Sequence, residues 1–286
     1  MIRLAAQPVI EILHAELRTR ISAFRARSGR VPGLAVILVG NDHASEIYTR
    51  NKREAALKLG MESQILRFPA TATPEQVRAA VSSLNSDPTI DGILIQRPLP
   101  VSFRESEVVY WVSPEKDVDA FHPENAGRLS LGLPCLKPCT AIGILELLNY
   151  YKVELAGKTA CVIGRSSIVG KPTATLLLQA NATVIHCHSR TRNLAQLSAQ
   201  ADVLVVAIGK PEWITEDFIR PGAVVIDVGI HRNSEGKIVG DVQAQAVAAR
   251  ASMASPVPGG VGPMTIGLLL RNTVAAAELR DCLSTD

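Results

Sequence analysis

The first half of the chain carries residues whose types and spacing suit proton transfer beside an organic ligand. In Asn41-Asp42-His43-Ala44-Ser45-Glu46-Ile47-Tyr48-Thr49-Arg50-Asn51-Lys52, a helix beginning near Ser45 sets Ser45, Tyr48 and Lys52 on one face by three- and four-residue spacing. Tyr48 offers a flat ring and a hydroxyl. Lys52 offers an ammonium whose pKa falls on burial, so that it can shuttle protons. A lone Tyr/Lys pair is more often a surface lysine lying over a ring, so further groups must converge on it. Gln96 closes the apolar run DGILIQ before a Pro-flanked turn, and in a parallel sheet the carboxyl ends of strands open to the ligand crevice. Asp117 and Asp119, within Lys116-Asp117-Val118-Asp119-Ala120-Phe121-His122-Pro123, place two carboxylates on a loop. One there could take paired N–H donors from a heterocycle, or simply cap a turn.

The second half has a phosphate-binding pattern. KTACVIG ends at Gly164 and runs into Arg165-Ser166-Ser167-Ile168-Val169-Gly170-Lys171-Pro172, which reads as strand, tight turn and helix start. It is not GxGxxG. A helix N-terminus there would still offer free N–H groups to a phosphate, and Pro172 suits a first helical turn. The next apolar run ends His186-Cys187-His188-Ser189-Arg190-Thr191-Arg192. An NAD site wants a carboxylate at that point for the ribose hydroxyls. Ser189, the two arginines and Arg165 instead match a 2′-phosphate, which favours NADP. Pro256-Val257-Pro258-Gly259-Gly260-Val261-Gly262-Pro263-Met264-Thr265 is dense in Gly and Pro, so backbone can approach a ligand there. Thr265 is expected to be the N-cap of the helix that follows.

The elements that must position these groups follow from periodicity. LAVILVG, SQILRFP and DGILIQ alternate with helical stretches from about Ser45 to Leu59 and from Pro74. KTACVIG, ATVIHCHS, ADVLVVAIG and GAVVIDVGI do the same later in the chain. Short apolar runs alternating with helices predict βαβ units and parallel sheets, the second set reading as a doubly wound dinucleotide-binding domain. The length of 286 residues suits two domains. Aromatics make up only 4%, so the core must be aliphatic. A formal net charge of +3 is too small to point to nucleic acid or an anionic membrane. Five cysteines without CxxC read as reduced thiols with no metal site. The absence of a signal-like start or a long apolar span predicts a cytoplasmic chain.

Taken in order, YTRNK, GILIQRPLP, PEKDVDAFHPENAGRL, KPCT, VIGRSSIVGKP, ATVIHCHSRT, GDV and SPVPGGVGPMT resemble the methylenetetrahydrofolate dehydrogenase/cyclohydrolase family across nearly the whole chain. The resemblance implies two α/β domains with the folate cleft between them. Residues 1–120 would form a folate domain, with the C-terminal helix 265–286 packing back on it, and 121–264 a Rossmann-like NADP domain. It implies oxidation of 5,10-methylenetetrahydrofolate by NADP, hydrolysis of the methenyl product to 10-formyltetrahydrofolate, and a homodimer. Lys52 would be the general acid/base, Tyr48 would stack on folate, Gln96 would tune Lys52 and Asp119 would anchor the pterin. Gly164, Arg165, Ser166, Ser189 and Ile230 would hold NADP, and Pro258, Gly259 and Gly260 would line the folate side. Three departures stand out: Ala120 for the usual Gly, Arg97 for an apolar residue, and Ala141 for Pro. Arg97 is expected to weaken the hydrolytic step by adding a cation near Lys52. Competing readings are a dehydrogenase-only or altered paralogue and a non-catalytic folate- or NADP-binding protein.

Overall fold

A computed structural model describes residues 1–283 of the chain; positions 284–286 of the expected C-terminal helix lie outside the described residues. The chain divides into two compact units, Ile12–Cys139 with Ile266–Asp286, and Met1–Glu11 with Thr140–Thr265. Its strands, among the described residues, are β1 (Ile2–Arg3), β2 (Gly33–Val39), β3 (Glu62–Phe68), β4 (Gly92–Ile95), β5 (Thr159–Ile163), β6 (Thr183–Cys187), β7 (Val203–Val206), β8 (Val224–Asp227), β9 (His231–Arg232), β10 (Ile238–Val239) and β11 (Met253–Ala254).

The unit containing Lys52 has a parallel sheet in the order β3-β2-β4. Every residue of the central β2 is buried, which is why its sequence is a continuous apolar run rather than an alternating one. The following helix, His43–Lys58, starts two residues earlier than the periodicity suggests. The cause is Asp42, whose carboxylate accepts the Ser45 N–H at 2.8 Å. A capping box between Thr73 and Gln76, with Pro74 in the first turn, starts Pro74–Ser86. Fully buried Asp91 accepts N–H groups from Arg30, Arg280 and the Gly33 backbone, and so ties three segments at the base of β4.

One backbone contact places the acidic loop. Ile93 N–H donates to Lys116 O at 2.8 Å, so residues 116–119 run beside β4. Asp117 is a structural group here, its carboxylate accepting the His122 N–H at 2.6 Å. Burial pushes its pKa up to about 6, from an ordinary 3.8. A raised carboxyl pKa contributes stability that is fully present below the ordinary value and lost as pH rises through about 6. Asp117→Asn keeps the acceptor and removes the charge. It is expected to flatten the fall in stability between about pH 4 and 6, read by urea unfolding across that range; a curve overlaying wild type would clear Asp117 of the effect.

The other unit has a six-stranded parallel sheet, among the described residues, in the order β1-β11-β8-β7-β5-β6. The chain leaves β5 for β6 on one side and returns to β7 on the other. That reversal between β5 and β7 is the switch point at which open α/β sheets bind ligands. The core is aliphatic, built from residues such as Ile163, Leu204, Val206, Val225 and Ile214. Edge strand β1 and the β9–β10 hairpin have two residues per strand, too short to leave a periodic signal. Thr265 is not an N-cap: the helix Val261–Leu283 begins a turn earlier, and the Thr265 hydroxyl donates to Val261 O at 3.3 Å. Pro263 does not delay the start, because its missing N–H falls among the unpaired donors of a first turn.

Candidate active site

Lys52 lies on the inward face of His43–Lys58 and is only 7% exposed. Its Nζ donates to Gln96 Oε1 at 2.9 Å. Gln96 Nε2 donates to Arg97 O at 2.7 Å, which fixes the amide with its oxygen toward the lysine. The Ser45 hydroxyl donates to the same carbonyl at 3.3 Å and ties the start of the helix to the turn after β4. Loss of hydration pushes the Lys52 pKa below the ordinary lysine value, and Asp119 and Cys139 pull it back only in part. The result is an amine readier to exist neutral than a surface lysine.

Asp119 is near enough to this lysine for the two to act on each other electrostatically. Burial pushes its carboxyl up, while Lys52, Arg97 and the Cys139 thiol favour the ionised form. The loop is anchored from behind. The Cys139 thiol donates to Val118 O at 3.2 Å, and Asn272 Nδ2 donates to Val118 O at 2.8 Å and Lys137 O at 2.9 Å. Ala120 follows with φ +59°. That left-handed conformation disfavours any residue but glycine, and it marks a physical demand for glycine at this position. Ala141 is buried in the first turn of Cys139–Tyr150, where Ala and Pro are both accommodated. Tyr48, one turn before Lys52, is half-buried, and burial raises its hydroxyl pKa.

Arg97 is not a free cation. Its Nη1 pairs with Glu105 Oε2 at 3.0 Å, and its guanidinium carbon stands 5.0 Å from the Phe121 ring centre. With Asp119 and Phe121 it lines a small cavity of about 30 Å³.

At the switch point of the other unit lies a cavity of about 440 Å³. The turn after β5 supplies Gly164, Arg165 and Ser166, the turn after β6 supplies His188, Ser189 and Thr191, and the segment after β7 supplies Lys210 and Trp213. Among the described residues no carboxylate lines it. Gly164 has φ +128°, and a Cβ on it would collide with Ala207 O; one on Gly170 would collide with Gly164 O. Two strands and a helix start approach here as closely as backbone permits.

The expectation of free helix N–H groups at this turn needs correction. Ser166 Oγ accepts the N–H groups of Val169 and Gly170 at 3.2 and 3.3 Å, and Ser166 O accepts that of Lys171 at 3.0 Å. An anion at this turn would therefore meet side chains of the lining, such as those of Arg165 and Ser166, rather than free helix amides. Arg190 and Arg192 are exposed and do not line the cavity. His188, Thr191, Lys210 and Trp213 went unrecognised in the sequence. Their shared signal was position, each lying just beyond the carboxyl end of a parallel strand.

Ile230 is exposed and sits apart from this cavity's lining, its Cδ1 3.1 Å from where a Cβ on Gly262 would stand. In the loop after β11, Gly259 has φ +106° and its carbonyl accepts the Ala6 N–H at 2.9 Å. A Cβ on Gly260 would lie 2.7 Å from Pro256 O. Pro258 is exposed beside them. Thus Tyr48, Lys52, Gln96 and Asp119 belong to one unit. Gly164, Arg165, Ser166 and Ser189 share one cavity in the other unit, whose 258–260 loop is separate from that cavity's lining.

Residues 4–119 match the family model described as tetrahydrofolate dehydrogenase/cyclohydrolase, catalytic domain, and residues 138–281 match its NAD(P)-binding domain. The bifunctional protein FolD of Streptococcus pneumoniae is 51% identical over 265 residues, 93% of each chain. The crystal structure of FolD from Campylobacter jejuni has a TM-score of 0.95 at 41% identity, covering 98% of this chain and 99% of that one. The Trypanosoma brucei methylenetetrahydrofolate dehydrogenase-cyclohydrolase, complexed with NADP and an inhibitor, has a TM-score of 0.93 at 35% identity, covering 98% of each.

Proposed function

The chain belongs to the tetrahydrofolate dehydrogenase/cyclohydrolase family, and we propose that Lys52 carries the proton transfers of its chemistry. The protein oxidises 5,10-methylenetetrahydrofolate with NADP to the 5,10-methenyl cation and hydrolyses that cation to 10-formyltetrahydrofolate. The observation that carries the role of Lys52 is its burial with its ammonium hydrogen-bonded to a neutral side chain, Gln96, at 2.9 Å.

NADP, when bound, supplies the hydride acceptor. The cavity of Gly164, Arg165, Ser166 and Ser189 fits it, offering a guanidinium and hydroxyls where a carboxylate would repel a 2′-phosphate. In hydrolysis a water adds to the methenyl carbon and gives its proton to the neutral Lys52 amine. The C–N5 bond then breaks. Lys52 returns the proton to N5 and the hydroxyl proton leaves to solvent, leaving a formyl group on N10. A cationic substrate depresses the lysine pKa further. Gln96 holds the amine without adding a negative charge that would keep it protonated. Asp119, ionised, would take N–H donors of the pterin, Tyr48 would stack on the folate, and Pro258–Gly260 would contact it by backbone.

Arg97 acts on Asp119 in this scheme. Its cation favours the carboxylate, so Arg97→Leu should let Asp119 protonate at higher pH. The folate KM is expected to rise several-fold at acidic pH and little at alkaline pH. An unchanged KM–pH profile would show that Arg97 does not act through Asp119, whereas faster hydrolysis in the variant would show that Arg97 restrains the second step.

We further propose a homodimer in the cytoplasm, feeding one-carbon units to formyl transfer such as purine biosynthesis. Among the described residues no helix is long and apolar enough to cross a membrane. Light scattering tests the dimer. A coupled absorbance assay with 5,10-methylenetetrahydrofolate and NADP tests the activities together: NADPH should grow while methenyltetrahydrofolate forms and decays. Persistent methenyltetrahydrofolate would mean a dehydrogenase alone, and no NADPH a binding protein.

A further inference from the structure

The GDV motif, Gly240-Asp241-Val242, sits in the cofactor-binding unit and carries one of two neighbouring buried carboxylates, Asp227 and Asp241. Neither accepts a hydrogen bond from a lysine or arginine side chain among the described contacts. Asp227 accepts the backbone N–H groups of Gly229, Asp241 and Val242, each at 2.9 Å. Asp241 accepts those of Ile208, Gly209 and Lys210 at 2.7, 3.1 and 2.9 Å, and its Oδ1 lies 2.8 Å from His231 Nε2. A Cβ on Gly240 would collide with the Asp227 carboxylate, and one on Gly229 with Asp241. The backbone is thus cleared to admit both acids.

Two carboxyl groups buried side by side are unfavourable for stability alone. What they secure is conformation. Three successive N–H groups, with Gly209 at φ +68°, converge on one carboxylate to form a filled nest. The nest fixes the segment after β7, whose Ala207, Ile208 and Lys210 form a wall of the 440 Å³ cavity. Asp227 holds both the backbone of Asp241 and that of Gly229, the residue before Ile230.

We propose that Asp241, braced by Asp227 and His231, is a positioning residue for the dinucleotide, holding the 207–210 wall against which NADP binds. The proposal rests on placing NADP in that cavity. Asp241→Asn keeps one acceptor oxygen and turns the other into a donor facing donors. The experiment measures NADPH dissociation constants by fluorescence in the full-length protein, beside the rate of methenyltetrahydrofolate hydrolysis without cofactor. Asp241→Asn should weaken NADPH roughly tenfold or more and keep hydrolysis within about twofold, a split that general loss of structure would not give. Arg165→Ala, measured in parallel, should also weaken NADPH. If Arg165→Ala weakens it and a folded Asp241→Asn does not, the clamp is overturned and the cavity stands. If neither does, the cavity placement fails and takes the clamp with it. If Asp241→Asn loses hydrolysis, His231→Phe decides: a several-fold loss of NADPH affinity with hydrolysis kept supports the clamp, and unchanged affinity overturns it.

Discussion

Lys52→Met is expected to lower the rate of methenyltetrahydrofolate hydrolysis by two to four powers of ten, the usual range for removing a positioned acid/base group. Methionine matches the lysine stem in length and apolar character, so packing should survive. The desolvated charge is removed, which favours the fold, while Gln96 Oε1 loses its donor at a cost of about 1–3 kcal/mol. These effects oppose each other, and the thermal midpoint should move by only a few degrees. Stopped-flow absorbance on added methenyltetrahydrofolate, with thermal unfolding as the control, reads both. A folded variant retaining a tenth of the wild-type rate would exclude Lys52 as the proton carrier.

Arg165→Ala should produce the second-largest change, in cofactor choice. Hydrogen bonds to a charged group contribute about 1.5–3 kcal/mol, or roughly ten- to a hundredfold in affinity. With the amides of residues 169–171 already engaged locally, no free amide there would make up for the guanidinium. The NADP KM should rise by that factor, the NAD KM should rise much less, and the preference should narrow accordingly. Initial rates with each cofactor, wild type against variant, test this. An unaltered NADP/NAD ratio, or a wild type that favours NAD tenfold, would place the 2′-phosphate elsewhere.

The parts of this architecture legible in the sequence were those governed by local rules. The apolar runs of β2, β5 and β7, and the helices after β2 and β5, followed from periodicity. That Gln96 and the helix carrying Lys52 would open to one cleft followed from one rule, that the carboxyl ends of parallel strands face the crevice; that the two side chains meet, though 44 positions apart, rests on β2 and β4 being neighbours, which periodicity does not give. What escaped depends on distant partners. Nothing local to Asp119 says that Ile93 fixes its loop from one side and Asn272 from another. Free N–H groups at a helix start are a sound expectation until a serine three or four residues earlier takes them, as Ser166 does. Asp241 was visible only as a motif, because its donors come from a different strand connection. The positive φ of Ala120 is likewise a property of the folded loop.

The most direct test of the role of Lys52 is the pH–rate profile of methenyltetrahydrofolate hydrolysis in wild type and in Gln96→Glu. A base of lowered pKa gives a rate that falls as pH drops through that pKa. A carboxylate in place of the neutral amide, 2.9 Å from Nζ, should stabilise the ammonium and carry the acid limb to higher pH. A limb that shifts upward in Gln96→Glu identifies the titrating group as Lys52. A limb that stays in place, with the variant still folded and active, would contradict that assignment and move the proton chemistry to another residue.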